Sequence, residues 1–344
     1  MNKLPISTKS NEKVRWQEVV ARYAHPDLQR SLWQVVNTLV PFFSLWVLAV
    51  LSFKISYWLT LLLAIPTAGF MMRTFIIFHD CGHGSFFKSK KANDVLGIIT
   101  GIINFTPYYR WKHEHAIHHA TAGDLDRRGI GDVYTMTVNE YLAAPWWKKI
   151  GYRIFRNPLA MFLIGPLLVF VVVNRFPGPN LGKRELASVW WTNLALAVII
   201  GSLCWLIGWQ TYLLVQLPII TIATAIGVWL FYVQHNFDPT YWEHQDEWEF
   251  AKAGLDGSSF YKLPALLQWF TGNIGFHHIH HLSPKIPNYK LPECHKENAI
   301  FQIKPLTLLF SLKSLRLRLW DEEKKIMVGW NSLKQYRRRQ VTTA

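Results

Sequence analysis

Two stretches, Leu186 to Ile207 and Thr211 to Val233, contain no charged residue. Each is long enough to cross a hydrocarbon layer of about 30 Å as a helix, which advances about 1.5 Å per residue. Two further apolar runs, Val36 to Phe53 and Ile55 to Phe78, are joined so tightly around Lys54 that they predict a hairpin crossing out and back. Half of the 344 residues are hydrophobic and only 17% are charged, where a soluble chain carries about a quarter. The pattern predicts an all-α integral membrane protein with four transmembrane helices and excludes a large soluble helical protein.

The net charge of +15 would suggest nucleic acid in a soluble protein, but here the basic residues flank the apolar segments and set orientation. Lys3, Lys9, Lys13, Arg15, Arg22 and Arg30 precede the first span, and Arg337, Arg338 and Arg339 close the chain. Both termini are therefore expected on the cytoplasmic side of the cell membrane, with the first apolar helix directing insertion in place of a cleaved signal. Arg73, near the cytoplasmic end of its helix, is expected to snorkel to the interface. Val95 to Tyr109 carries Gly97, Gly101, Asn104 and Pro107 and is expected to lie in the membrane surface. Cys81, Cys204 and Cys294 form no CxxC pair, so neither a disulfide framework nor a thiolate metal site is indicated.

Of the fourteen histidines, eight recur at ligand spacing. His277, His280 and His281 stand at i, i+3 and i+4, as do His115, His118 and His119, and His79 and His83 form a simpler i, i+4 pair. On a helix such residues share a face about one turn apart. His235 ends the last crossing helix and makes nine. Nine imidazoles exceed what one ion takes and imply two metals with coordination near five or six. Imidazole serves zinc, copper, iron and nickel alike; neutral nitrogen donors at a membrane face with access to lipid point to iron, because attack on an unactivated C–H bond needs a redox metal and oxygen. His25, His244 and His295 read as ordinary histidines, and His113 and His278 point off the ligand face. Asp80, Asp124, Asp126, Asp132 and Asn273 are candidates to hold the second ring nitrogens.

The clusters need one side of the membrane, so one of the three apolar segments between His119 and His277 cannot cross. Leu159 to Val173, broken by Gly165 and Pro166, is the expected re-entrant or interfacial one. The whole of 1–344 then reads as one domain, with a first hairpin (35–78), a cap carrying two clusters (79–158), a second hairpin (186–233) and a cap carrying the third (234–344). A histidine-rich metal transporter is the competing class, but its ligands would sit inside helices near the midplane.

The strings HDCGHGSFF, WKHEHAIHHATAGDLDRRGIGD and GNIGFHHIHHLSPKIPNYKL, with FYVQHNF before the last, resemble the three histidine boxes of the membrane-bound fatty acid desaturases. The likeness runs over about residues 35 to 300 and includes NEYLAAPWW and GSSFYKLPALLQW. It is greatest to bacterial acyl-lipid desaturases that place a double bond at position 5 of phospholipid acyl chains. The resemblance implies a di-iron centre held by the nine histidines, four membrane helices under a cytoplasmic helical cap, and an acyl tunnel ending beneath the irons. It also implies O2 and two electrons as co-reactants and a cis double bond as product. There is no His-Pro-Gly-Gly haem motif, since His25-Pro26-Asp27 lacks the glycines, so a separate ferredoxin or flavodoxin is the implied donor, attracted by the basic cap. The same site in a hydroxylase or carotenoid ketolase would differ only in product.

Overall fold

A computed structural model describes residues 15–336; Lys3, Lys9 and Lys13 and the terminal Arg337, Arg338 and Arg339 lie outside the described residues. The first hairpin is α1 (Leu28–Ser52) and α2 (Tyr57–His83). Between the hairpins run α3 (Lys90–Ile103), α4 (Tyr108–Thr121), α5 (Trp146–Phe155) and α6 (Gly165–Val171). The second hairpin, α7 (Lys183–Ile207) and α8 (Trp209–His235), turns at the single residue Gly208, whose φ of 84° suits glycine. Among the short helices that follow are α9 (Ala265–Phe270) and α10 (His277–Leu282). Two small strand pairs complete the cap, a minor addition to the all-α expectation. β1 (Tyr261–Lys262) pairs in parallel with β2 (Leu306–Thr307), and β3 (Leu319–Asp321) antiparallel with β4 (Ile326–Val328).

The four long helices are the ones apolar enough to span a membrane. They also overshoot it. With 27 residues α2 is about 40 Å long, roughly 10 Å more than a hydrocarbon layer needs, and its surplus carries His79 and His83 past the apolar zone. The helix stops at Gly84, whose φ of 65° turns the chain so that the Ser85 amide donates back to the Asp80 carbonyl at 3.0 Å. Small residues let the backbones approach: Ala49, Ala64 and Ala68 pack against Val215, Ile219 and Ala223. The other face of α7 leaves Trp190, Trp191, Val198 and Trp205 exposed, toward lipid.

α5 and the segment Ala160–Arg175 meet at a bend of 63°, with a π-helical turn at Ala160–Ile164 and Pro166 opening α6. The histidines of α4 and α10 converge, so both lie on one side, and α7 and α8 already return the chain to that side. The bent segment therefore does not complete a crossing, and there are four. Tyr108 anchors α4 to α2 by donating to the Cys81 carbonyl at 2.8 Å. Its ring lies 2.2 Å from where a Cβ at Gly97 would stand, so that position of α3 accepts only glycine.

Arg73 corrects the snorkelling expectation. It is buried, with Nε donating to Thr38 Oγ1 at 3.1 Å, Nη1 donating to the Trp269 carbonyl, and the guanidinium 3.9 Å from the Trp269 ring centre. The reason is tertiary: α9 folds back over α2 and offers its carbonyl before water can. Arg73→Leu should lower stability by about 1–3 kcal/mol, since it strands both acceptors. The readout is a lower thermal midpoint of the detergent-solubilised protein with its metal content unchanged.

Candidate metal centre

Four helices deliver nine imidazoles to one place. The projecting end of α2 carries His79 and His83, α4 carries His115, His118 and His119, the last residue of α8 is His235, and α10 carries His277, His280 and His281. They sort into two groups, His79, His83, His115, His119 and His280 in one and His118, His235, His277 and His281 in the other. Within each group one ligand atom per residue lies within 4.8 Å of all the others. The groups interleave, because neighbours His118 and His119, and likewise His280 and His281, go to different ones.

The nitrogens are arranged for cations rather than for hydrogen bonds. His119 Nε2 lies 3.1 Å from both His115 Nε2 and His280 Nε2, and His277 Nε2 lies 3.0 Å from His235 Nε2 and 3.1 Å from His281 Nε2. A ring nitrogen carries one proton or one lone pair, so hydrogen bonding satisfies only one of each two contacts. Nitrogens about 2.1 Å from a shared ion and at right angles stand about 3.0 Å apart, which matches. Nε2 of His83 and of His118 are buried without any partner. Burial, and then the neighbouring rings, hold His115, His119, His277, His280 and His281 well below the ordinary imidazole pKa, so they are neutral with lone pairs available. Each group holds nitrogen donors alone, and five exceed the tetrahedral set of a structural zinc.

Outer contacts orient the rings. His118 Nδ1 donates to Asp132 Oδ1 at 2.5 Å, which turns Nε2 into the group. His79 Nδ1 donates to Asp80 Oδ1 at 3.1 Å, and Asp80 Oδ2 accepts from the backbone and side-chain nitrogens of Asn288 at 2.7 and 2.8 Å. His235 Nδ1 faces the Gly257 carbonyl at 3.4 Å.

Beside both groups opens a cavity of about 220 Å³. Its wall takes His79 and His115 from the larger group and His277 from the smaller, and is otherwise mostly apolar, with Met72, Phe75 and Phe231 among the lining residues. It runs between α2 and α8 to Met71 and Ala223, which join Ala68, Ile219 and Ile220 in a packed floor. A model of the fatty acid desaturase family matches residues 56–302. The chain belongs to that family. A "fatty acid desaturase" of Bacillus subtilis is 51% identical over 92% of this chain and 90% of its own length. An "sn-1 acyl-lipid omega-3 desaturase (ferredoxin)" of Synechocystis is 29% identical over 67% of this chain and 64% of its own. One from Nostoc with the same description is 28% identical over 63% of this chain and 61% of its own. As a fatty acid desaturase the chain is an oxidoreductase acting on lipids.

The desaturase fold brings together the eight histidines that ligand spacing singled out and His235, and it places Asp124, Asp126, Asn273 and the other five histidines elsewhere. Asp124 accepts from Arg127 Nε at 2.6 Å, and Asp126 bonds His244 at 3.0 Å, so neither meets a clustered ring. Asn273 donates to the Asn288 carbonyl at 3.2 Å and reaches His79 only through Asn288 and Asp80. His25 and His113 are exposed, and His295 packs on Phe260. His278 is fully buried, donates to the Phe301 carbonyl at 3.0 Å and is pushed down to about 3 by burial. Asn288 escaped the sequence reading. Its one signal was its place in the PNY that follows the third cluster.

Asp132→Asn should weaken metal retention about 10- to 100-fold, the usual cost of losing such an outer partner. Asp126→Asn and His244→Ala should leave retention unchanged. Metal content after timed exposure to a chelator separates them.

Proposed function

We propose that the chain introduces a cis double bond, at position 5, into saturated acyl chains of membrane phospholipids, using O2 and two electrons at a di-iron centre held by the nine histidines. The supporting observation is the apolar cavity whose wall contains ring atoms from both histidine groups. Two irons bound there would supply the oxygen activation that breaking an unactivated C–H bond requires. The chain's own residues hold the substrate. The cavity walls fix an acyl chain so that one carbon pair lies against the histidine groups, and their apolar surface keeps water from the reaction. Asp80 and Asp132 keep His79 and His118 in the tautomer that leaves Nε2 free.

The depth of the cavity supports attack near the carboxyl end. From His79 to Met71 is eight residues of helix, about 12 Å. An extended chain advances roughly 1.2 Å per backbone bond, so about ten carbons fit beyond the metals. Electrons come from a separate one-electron carrier, a ferredoxin or flavodoxin, in keeping with the word ferredoxin in the names of the Synechocystis and Nostoc relatives. The net charge of +15 favours such acidic donors. The histidine cap and both termini then face the cytoplasm, where these carriers are.

The test is the fatty acid profile of a bacterium lacking unsaturated fatty acids, with this chain and a matched donor co-expressed. A new cis monoene with its double bond at position 5 is expected, and none from His280→Ala. Hydroxy acids in its place would move the reaction to hydroxylation. Gly227 lines the deep part of the cavity, 3.5 Å from Met72 Sδ at its would-be Cβ. Gly227→Leu should therefore lower the share of longer relative to shorter products by roughly tenfold, the effect of a few methylenes in an apolar pocket.

A further inference from the structure

The cavity has to communicate with the place where its substrate resides. Among the described residues that line it, Gly131 alone is exposed, which locates the mouth. Two loops frame that point on α4. A Cβ at Gly131 would lie 3.1 Å from the Glu114 carbonyl oxygen, and one at Gly178 would lie 3.7 Å from Glu114 Oε1. Glu114, itself a wall residue, thus stands between two close-lying glycines. The second loop is tied to α4 by Arg110, whose Nη1 donates to the Phe176 carbonyl at 2.7 Å.

The rim is apolar where it leaves the cap. Ile130 on one loop and Val172, Val173 and Phe176 on the other are between 44% and 62% exposed. The second loop continues directly from the bent, re-entrant segment, whose Leu163, Ile164, Leu168 and Val169 are also exposed, while Phe170 turns inward to the cavity. A mouth rimmed in this way and continuous with a membrane-embedded surface opens sideways into lipid, because water would not wet it. At the slot Arg110 Nε bonds Glu114 Oε1 at 2.9 Å and Arg128 pairs with Glu140, while Arg175 turns away, donating to Asn193 Oδ1 at 2.9 Å and to the Phe105 carbonyl.

We infer that the slot between residues 128–134 and 172–178 is a lateral port, through which the acyl chain of a lipid still resident in the bilayer slides to the histidine groups without leaving the membrane. This route rests on the acyl substrate proposed above.

The test uses Gly178→Cys in a Cys204→Ser background, since Cys81 and Cys294 are buried. The protein is reconstituted in phospholipid vesicles with reduced ferredoxin, then treated or not with a bulky maleimide. Labelling should cut the rate of phospholipid desaturation by about tenfold or more at constant metal content. The same label on Gly201→Cys, on the lipid side of α7, should cost less than about twofold. An unchanged rate after complete labelling at residue 178, or an equal loss at 201, overturns the port. Should labelling release metal, Phe176→Asp is read instead: a raised KM for phospholipid is expected, and an unchanged KM overturns the proposal. Should the unmodified enzyme form no double bond, the desaturase reading fails by itself. The port is then judged by whether a phospholipid with a photoreactive acyl chain cross-links within residues 170–178 and loses that cross-link on labelling.

Discussion

Nine imidazoles with ring nitrogens turned toward one another form an arrangement that repels itself. His119 and His277 each face two other ring nitrogens at about 3 Å, closer than any set of protons can satisfy. Cations in the two groups would make such an arrangement favourable, and the donor set fits them. Much of the rest of the structure can be understood as supplying the rigidity that holds the rings in place until the ions arrive.

That rigidity begins in the membrane. α2 and α8 are longer than the layer they cross, and they pack through alanines and glycines that leave little freedom. Their surplus turns present His79, His83 and His235 at a fixed height above the apolar zone. The cap then brings the other six rings to that height, using α4 pinned by Tyr108 and α10 pinned through Asn288 to Asp80. The buried Arg156 joins the layers by donating to Asn236 Oδ1 at 3.0 Å and to the Leu317 carbonyl at 3.1 Å. Arg73 does so on the other side, joining α2 to α9.

The same helices that carry the histidines shape the substrate space. Gly227 costs α8 up to about 1 kcal/mol relative to alanine as a helix residue, and it lies where a side chain would narrow the cavity. The bent segment closes the cavity with Phe170 and meets lipid with Leu168 and Val169. A wall one helix thick separates the reaction space from the bilayer.

The sequence alone marked the four spans, the re-entrant segment and eight of the nine clustered histidines, because lipid demands uninterrupted apolar helices and metals take donors at i, i+3 and i+4; His235 was marked by its place at the end of the last span. These are local periodicities, visible without knowing any long-range contact. Which ring joins which group was a matter for tertiary structure, since His118 and His119 are neighbours in the chain and part only when α8 and α10 approach. The burial of Arg73, the choice of Asp80 and Asp132 over Asp124 and Asp126, and the part played by Asn288 were decided there too. A side chain's partner can lie 208 residues away, as Asn288 does from Asp80, and no local pattern carries that distance.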